Sequence, residues 1–165
     1  MGIETERKFL LKDQSWRQQD ISQARTLTQG YFTRAQGGPT VRIRIADEQD
    51  YLTVKGRHRD ENSVSRSEFE YEIPKEDALA MLEEFCGSRI VKKYRYFLPA
   101  EEGMCWEIDE YLDANQGLFT AEIELPDAEK PFERPAWLGK EVSDDSRYSN
   151  GSLSVNPYSL WKEEE

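Results

Sequence analysis

The feature that most constrains the fold is an alternation of charged and apolar residues with a period of two, repeated in eight short segments. Successive residues of a β-strand point to opposite faces, so this period predicts strands rather than helices. Turn-forming residues such as Gly37-Gly38-Pro39 separate the segments. The predicted strands are residues 3–10, 26–33, 40–46, 51–56, 66–73, 90–98, 104–112 and 118–125.

Helical patterns are few. Pro74 and the acidic residues after it predict the start of a helix that Gly87 ends. Residues 13–24 predict a weaker helix, and residues 135–160 predict a tail of short helical turns. We expect the first helix and the tail to cover the outer apolar faces of the strands. The apolar face of that helix is predicted to contain Ala78, Leu79, Met81, Leu82 and Phe85.

Each strand has one ionised and one apolar face, and charges of one sign are grouped within a strand. A sheet with a charged solvent face is the simpler interpretation of any single strand. Adjacent like charges repel, however, which favours one shared site where opposite charges compensate. The residues on the charged faces are Glu4, Glu6, Lys8, Arg42, Arg44, Lys55, Arg66, Glu68, Glu70, Glu72, Lys93, Arg95, Glu107, Asp109, Glu122 and Glu124.

About eight strands are enough to close a barrel, which would bring the charged faces around one lumen. The expected fold is therefore mainly β (α+β). We expect a single eight-stranded antiparallel β-barrel tunnel with a charged lumen, flanked by a few helices. Residues 1–165 are expected to form one domain, because the length suits one domain and no linker is evident.

Composition excludes several classes of protein. The chain has 33 acidic and 22 basic residues, a net charge of −11 that disfavours nucleic acids and anionic membranes as partners. No apolar run is long enough to span a membrane and the first residues lack a signal-peptide pattern, so we expect a cytoplasmic protein. His58 is the sole histidine and Cys86 and Cys105 the sole cysteines, which excludes a Ser-His-Asp triad and a four-thiolate zinc site.

The remaining charged groups suit a metal and a phosphate together. Carboxylates without nearby imidazole or thiolate select hard cations, namely Mg²⁺, Mn²⁺ or Ca²⁺. Paired arginines and lysines select an anion, and guanidinium groups match phosphate oxygens. A cavity with both sets predicts metal-assisted chemistry on a phosphate chain.

These motifs resemble those of the triphosphate tunnel metalloenzymes, also called the CYTH superfamily. The start, Glu4-Thr5-Glu6-Arg7-Lys8, matches the family's Glu-x-Glu-x-Lys, and the resemblance extends over residues 3–153. It implies an eight-stranded antiparallel tunnel, open at its ends, that binds a linear triphosphate, and it is greatest to short bacterial inorganic triphosphatases. The other motifs, in the family's order, are Gln29-Gly30-Tyr31, Val41-Arg42-Ile43-Arg44, Leu52-Thr53-Val54-Lys55-Gly56, Glu68-Phe69-Glu70-Tyr71, Lys93-Tyr94-Arg95-Tyr96, Trp106-Glu107-Ile108-Asp109 and Ala121-Glu122-Ile123-Glu124-Leu125.

The resemblance also implies roles for individual residues. Lys8 and Tyr31 correspond to a lysine and tyrosine that act together near the attacking water. The implied ligands of Mg²⁺ or Mn²⁺, direct or through water, are seven carboxylates. The implied phosphate ligands are Lys8, Arg42, Arg44, Lys55, Lys93 and Arg95; the implied metal ligands are Glu4, Glu6, Glu68, Glu70, Asp109, Glu122 and Glu124.

Other functions remain open at this point. Hydrolysis of inorganic tripolyphosphate to pyrophosphate and phosphate ranks first. The alternatives are a nucleoside or thiamine triphosphatase, a class IV-type adenylate cyclase and a non-catalytic module that binds polyphosphate. The sequence leaves the oligomeric state open between monomer and homodimer.

Several residues have a structural interpretation instead. Tyr31 is also explained as a packed aromatic residue of a strand. Arg66, Glu72 and Glu107 are expected to form salt bridges beside the site rather than to ligate metal. Phase with Arg95 selects Lys93 over its neighbour Lys92 as the inward lysine. We expect His58 in an exposed loop, and Trp137 is a candidate cap for the tunnel.

Overall fold

A computed structural model describes residues 2–58 and 64–161 and contains a nine-stranded sheet. The α-helices are α1 (Lys75–Met81), extended by a π-helical turn over Leu82–Cys86, and α2 (Asn150–Leu153). The strands are β1 (Ile3–Leu11), β2 (Arg25–Tyr31), β3 (Thr40–Ile45), β4 (Asp50–His58), β5 (Ser65–Ile73), β6 (Ile90–Pro99), β7 (Cys105–Tyr111), β8 (Phe119–Glu124) and β9 (Leu138–Glu141).

The sheet closes on itself, which confirms the predicted antiparallel barrel. Its strand order is β5-β4-β3-β2-β6-β7-β8-β1-β9, and an additional pairing of β5 with β1 closes the first eight strands of the chain into a barrel. The start of β1 pairs with β5, and β9 joins the same edge of β1 further along. The ninth strand therefore extends the wall where β5 has ended.

Strand register places the charged positions of neighbouring strands side by side. Lys8 on β1 lies opposite Glu122 on β8, and Arg95 on β6 lies opposite Asp109 on β7. Directly opposed residues share a face, so the charged rows of the separate strands become one lining. The alternation in the sequence predicts this arrangement correctly.

The apolar rows lie outside the barrel and are mostly covered. A large hydrophobic cluster lies on the outer faces of β1, β7 and β8. It is covered by residues from the segments between strands and from the tail, including Trp16 and Phe132. The buried members of this cluster are Phe9, Trp16, Leu98, Trp106, Ile108, Ala121, Ile123, Leu125, Trp137 and Leu138.

Helix α1 and its π-helical turn cover another part of the outer face, as predicted. Ala78 and Cys86 pack against Ile43 of β3, and Gly87 ends the helix with a positive φ of 59°. Leu79 and Phe85 are predicted to lie on the buried face of this helix, but both side chains are exposed. The row of side chains that packs against the barrel lies beside them on the helix surface. Among the described residues, no helix has the length and apolar character needed to cross a membrane.

The outer face of β5 is not covered as predicted. Phe69 is 48% exposed and Tyr71 is 59% exposed. Helix α1 contacts β3 and β4, one strand away from these side chains. The cover predicted for all outer apolar faces is therefore incomplete at this strand.

The predicted helix over residues 13–24 is wrong. The structure has a 3₁₀ turn at Ser15–Gln18, and its buried residue is Trp16. A single buried side chain gives a longer helix no apolar stripe to bury. Instead, the backbone amide and hydroxyl of Ser22 exchange hydrogen bonds with the backbone of Phe97 on β6.

The tail differs most from the prediction. Its first part forms β9, and Trp137 packs on Trp106 in the outer cluster instead of capping the tunnel. Its last part brings Leu153 and Trp161 into a cluster with the inward side chains of Val91 and Tyr111. The tail was predicted to cover outer apolar faces, but this part of it packs against inward side chains at one end of the barrel.

Candidate active site

The barrel encloses a cavity of about 720 Å³. Its wall consists of inward side chains of the strands together with tail residues between Val142 and Val155. Glu70 and Glu124 are exposed at the mouth of the cavity, whereas Lys93, Glu4 and Glu122 are buried. The predicted site residues that line the cavity are Glu4, Glu6, Lys8, Tyr31, Arg42, Arg44, Lys55, Glu68, Glu70, Lys93, Arg95, Glu122 and Glu124.

Asp109 lies behind the cavity lining and fixes two of its cations. Arg95 donates from Nε and Nη2 to the two carboxylate oxygens of Asp109, at 2.8 and 2.9 Å. Lys93 Nζ lies 2.8 Å from the same carboxylate. Such a bidentate contact fixes the plane of the guanidinium group. Asp109 thus holds an arginine and a lysine in place at the inner end of the cavity.

The two anchored cations differ in their protonation. Burial lowers the pKa of Lys93 to about 7, although Asp109 opposes this effect. Burial also disfavours charged Arg95, but Asp109 and Glu107 outweigh it and raise the pKa of Arg95 above its ordinary value. Any further negative charge brought into the cavity therefore favours the charged form of Lys93.

Arg44 carries charge that the protein leaves largely uncompensated. Its pKa is lowered to about 10 by burial and by the neighbouring guanidinium groups of Arg42 and Arg95. Within residues 2–58 and 64–161, no carboxylate lies within ion-pair distance of Arg44, and its Nε donates to Gln29 Oε1 at 2.8 Å. Three guanidinium groups facing one cavity form a site for a polyvalent anion.

Arg42 has an unused donor. Its Nη2 lies 3.2 Å from the Thr53 hydroxyl and 3.4 Å from Glu70. Its Nε is buried and has no hydrogen-bond partner in the described part of the chain. A buried donor without a partner is costly, and an anion in the cavity could satisfy it.

Lys55 connects the basic side of the cavity with the acidic side. Its Nζ lies 2.8 Å from Glu4 and 3.7 Å from Glu68. Arg66 contacts Glu4 as well, at 3.2 Å, as expected for a salt bridge beside the site. Burial favours the neutral form of Glu4, but Lys55 and Arg66 outweigh it, so the pKa of Glu4 is lowered.

Lys8 connects β1 with the tail. Its Nζ donates to the backbone carbonyl of Tyr148 at 2.9 Å and lies 3.5 Å from Glu122. Burial opposes the charged form, yet Glu122 together with Tyr111, Glu6 and Asp109 outweighs this effect and raises the pKa of Lys8. Tyr31, the other half of the predicted catalytic pair, lines the same cavity. No hydrogen bond joins Lys8 to Tyr31 in the described structure.

The acidic side of the cavity fits a hard cation. Burial together with Glu122 and Glu4 raises the pKa of Glu6 well above its ordinary value. Burial and neighbouring carboxylates likewise raise the pKa values of Glu68 and Glu124. Over the described ranges, no three of these side chains meet closely enough to hold a metal ion as they stand. Repelling oxygen ligands nevertheless gain from a divalent cation such as Mg²⁺ or Mn²⁺.

The other expected positions are mostly correct. Lys93 is buried whereas Lys92 is exposed, and Glu107 lies 3.1 Å from Arg95. His58 is exposed, although it ends β4 rather than lying in a loop. Glu72 is exposed and forms no ion pair among the residues described, so the salt bridge expected for it is absent.

Sequence reasoning missed the polar groups that hold the site from behind. Asn150 Oδ1 in the tail accepts from Lys93 Nζ at 3.0 Å and from the Tyr111 hydroxyl at 3.3 Å. Gln29 contacts both Arg44 and Tyr31. The position of Gln29, two residues before Tyr31, was the available signal for its inward orientation. The sequence around Asn150 contains no comparable signal.

This combination defines a class of protein: a closed antiparallel barrel that receives a polyvalent anion on its basic rows beside carboxylates that suit a cation. The model of the CYTH domain family matches residues 2–156, and the chain belongs to this family. Membership implies dependence on a divalent metal, without identifying the metal.

Two curated relatives support this assignment. An inorganic triphosphatase of Acetivibrio thermocellus is 40% identical over 163 residues, which cover 99% of this chain and 100% of the relative. An inorganic triphosphatase of Nitrosomonas europaea is 31% identical over 132 residues, covering 79% of this chain and 84% of the relative.

A solved structure agrees with the sequence comparisons. The crystal structure of an inorganic triphosphatase superposes with a TM-score of 0.64 at 28% identity, covering 92% of this chain and 94% of that one. The shared fold therefore extends over most of both chains.

Proposed function

We propose that the protein is a divalent-metal-dependent triphosphatase that hydrolyses inorganic tripolyphosphate to pyrophosphate and phosphate. The observation that carries the proposal is Arg44, which has no carboxylate partner in the described part of the chain and faces the guanidinium groups of Arg42 and Arg95 in a cavity that also contains mutually repelling carboxylates. The curated relatives named inorganic triphosphatase support the choice of substrate.

Six basic side chains would hold the phosphate chain. Arg42 Nε and Arg44 provide donors that lack carboxylate partners, and Asp109 orients Arg95 and Lys93 toward the cavity. Guanidinium and ammonium groups fixed before the substrate arrives stabilise charge that develops on phosphate oxygens. The proposed substrate ligands are Lys8, Arg42, Arg44, Lys55, Lys93 and Arg95.

The carboxylates would hold the metal ion. When bound, Mg²⁺ or Mn²⁺ polarises phosphate oxygens and lowers the pKa of a coordinated water. Asp109 already has both oxygens in contact with Arg95 and Lys93, so we place it in an indirect role, acting through water. The proposed direct metal ligands are Glu4, Glu6, Glu68, Glu70, Glu122 and Glu124, with Asp109 acting through water.

Water is the proposed nucleophile, with no covalent enzyme intermediate. Lys8 and Tyr31 are proposed to act beside the attacked phosphoryl group, where Lys8 is held by the carbonyl of Tyr148. The Lys8 ammonium would stabilise charge on the phosphoryl oxygens. In a single turnover in ¹⁸O-labelled water, one solvent oxygen should enter the released phosphate; a phosphate without it contradicts direct attack by water.

A substrate panel tests the proposed function. Purified protein is incubated with tripolyphosphate, ATP, thiamine triphosphate or pyrophosphate, each with Mg²⁺ and with Mn²⁺, and phosphate release and cyclic AMP are measured. We expect the highest kcat/KM with tripolyphosphate, and loss of activity when a chelator removes the metal. Preference for ATP or thiamine triphosphate, formation of cyclic AMP, or binding without hydrolysis would each contradict the proposal.

We further propose that residues 1–165 act as one domain in the cytoplasm, with a small triphosphate as the partner and with neither nucleic acid nor membrane bound. The thiols of Cys86 and Cys105 are free, as is usual in a reducing compartment. The net charge of −11 opposes attraction to nucleic acid or anionic lipid.

A further inference from the structure

A short chain of hydrogen bonds joins the basic wall of the cavity to Tyr31. Arg44 Nε donates to Gln29 Oε1 at 2.8 Å, and Gln29 Nε2 donates to the Tyr31 hydroxyl oxygen at 2.9 Å. Gln29 is completely buried on β2, directly opposite Arg44 on β3. Neither the proposed phosphate ligands nor the proposed metal ligands include this glutamine.

The chemistry of these groups fixes the direction of both hydrogen bonds. A guanidinium group has donors and no acceptor, so the atom of Gln29 beside Arg44 has to be the amide oxygen. The amide nitrogen is then the atom beside Tyr31, and a primary amide nitrogen only donates. The Tyr31 oxygen therefore accepts this hydrogen bond whichever way its own proton rotates.

Tyr31 consequently has its proton available for another partner. Within the described residues, the hydrogen bond to Gln29 is the one that its hydroxyl forms, and there the hydroxyl is the acceptor. The side chain lines the cavity beside the tail, where a carbon at Gly151 would lie 3.7 Å from the ring. A phosphate oxygen, which only accepts, is the complementary partner for this proton.

We infer that Gln29 is a positioning residue that fixes Tyr31 as a hydrogen-bond donor to a phosphate oxygen of the substrate. This inference rests on the proposed function and makes it more specific. In this role Tyr31 donates a hydrogen bond that stabilises negative charge on the phosphate, without transferring its proton. It is thereby distinguished from a tyrosine that takes a proton from the attacking water.

Two substitutions separate these roles. Tyr31→Phe removes the donor and keeps the ring. Gln29→Glu keeps an acceptor for Arg44 but places a carboxylate beside Tyr31, so the tyrosine proton turns toward residue 29 and away from the substrate. We expect Tyr31→Phe to lower kcat/KM for tripolyphosphate about 10-fold, typical of one lost donor, and Gln29→Glu to lower it at least as much because its carboxylate also pairs with Arg44.

The double variant and the pH profile provide the decisive readouts. If both changes remove the same donor, Tyr31→Phe has an effect of less than about 2-fold in the Gln29→Glu background. Tyr31→Phe is also expected to lower the rate by one factor between pH 6 and 9, with the shape of the profile unchanged. A full additional 10-fold loss in the double variant, or disappearance of a rising limb in Tyr31→Phe, overturns the inference.

Binding without hydrolysis makes the test independent of the proposed activity. Calorimetric titration of tripolyphosphate in chelator should show several-fold weaker binding for Tyr31→Phe and Gln29→Glu, again without additivity. If wild-type protein binds tripolyphosphate and the variants bind it more weakly, but the wild type does not hydrolyse it, the proposed function is wrong. The inferred hydrogen bond from Tyr31 to the phosphate is then still supported. Unchanged binding in both variants overturns the hydrogen bond itself.

Matched controls exclude a purely structural effect. Tyr71→Phe removes a hydroxyl from the exposed outer face of β5 and should leave binding and turnover unchanged. Gln29→Met removes both hydrogen bonds at similar volume and should reproduce the weaker binding without added charge. Thermal unfolding identifies any variant that is not folded, and Tyr31→Phe with Gln29→Met then completes the same double-variant test.

Discussion

Replacing Arg44 with methionine is expected to lower kcat/KM for tripolyphosphate about 100-fold, equivalent to about 2.7 kcal/mol of transition-state stabilisation. Arg44 faces Arg42 and Arg95, and within the described residues no carboxylate pairs with it. Its charge is thus available to stabilise the negative charge that develops on the phosphate chain as the reaction proceeds. Initial rates over a range of tripolyphosphate concentrations, at saturating metal, measure the effect.

The same variant is expected to be at least as stable as the wild type. The pKa of Arg44 is lowered from its ordinary value to about 10, so the folded state disfavours the charged form. That unfavourable contribution is fully present at neutral pH and disappears only as the pH rises through this interval. Methionine fills a similar volume without the charge, so thermal unfolding at pH 7 should show an unchanged or higher Tm.

Arg134→Met is the matched control for Arg44→Met. Arg134 lies outside the barrel over the rings of Phe9 and Phe132, more than half exposed, and should not affect turnover. A loss of both activity and stability in Arg44→Met would contradict a site held under charge repulsion. An unchanged kcat/KM would show that the basic rows do not bind the substrate.

The lining of the barrel could be predicted because its signal is local. A period of two assigns each residue to a face without any knowledge of the neighbouring strand. Lys93 was separated from Lys92 in this way, and the structure buries the first and exposes the second. About eight strands are enough to close a sheet into a barrel, and the sequence contains eight such segments, so closure could be predicted as well.

The tail could not be predicted because its contacts are not local. β9 has four residues, too few to display an alternating pattern, and it forms by pairing with the end of β1. In the sequence, Leu153 and Trp161 resemble the apolar residues of any short helical turn. They are buried because the inward side chains of Val91 and Tyr111 form an apolar surface at one end of the lumen. A pattern within one segment does not report which distant surface receives it.

The partners of the charged residues were also beyond the sequence. Asp109 shares its phase with Glu107 and resembles the other carboxylates, yet it holds Arg95 and Lys93 rather than facing the cavity. Glu122 is also paired, but it stays in the cavity wall. The register of four neighbouring strands decides which carboxylate faces the cavity and which pairs behind it. Alternation in the sequence gives only the face of the sheet on which each residue lies.

Glu122→Gln is expected to raise the concentration of Mg²⁺ or Mn²⁺ needed for half-maximal activity about 10-fold or more. Glu122 lies where the acidic and basic rows meet, 3.5 Å from Lys8 and 3.5 Å from Arg95. It also raises the pKa of Glu6, so these carboxylates act on one another at close range. Glutamine preserves the volume but removes one negative charge from the proposed ligand set.

The effect on metal requirement distinguishes this substitution from loss of a phosphate ligand. Arg44→Met should lower kcat/KM at every metal concentration, with little change in the half-maximal concentration. Glu122→Gln should instead shift the whole metal titration, and excess metal should recover part of the lost rate. Metal titrations of both variants at a fixed concentration of tripolyphosphate provide the comparison.

Glu141→Gln is the control for the removal of a carboxylate. Glu141 pairs with Arg7 at 3.0 Å on β9, at the edge of the barrel wall and away from the lumen. Its metal titration should coincide with that of the wild type, because a half-buried ion pair outside the cavity does not coordinate the metal. If Glu122→Gln also coincides with the wild type, the carboxylates of the lumen are not the metal ligands, and the two rows serve only to neutralise each other.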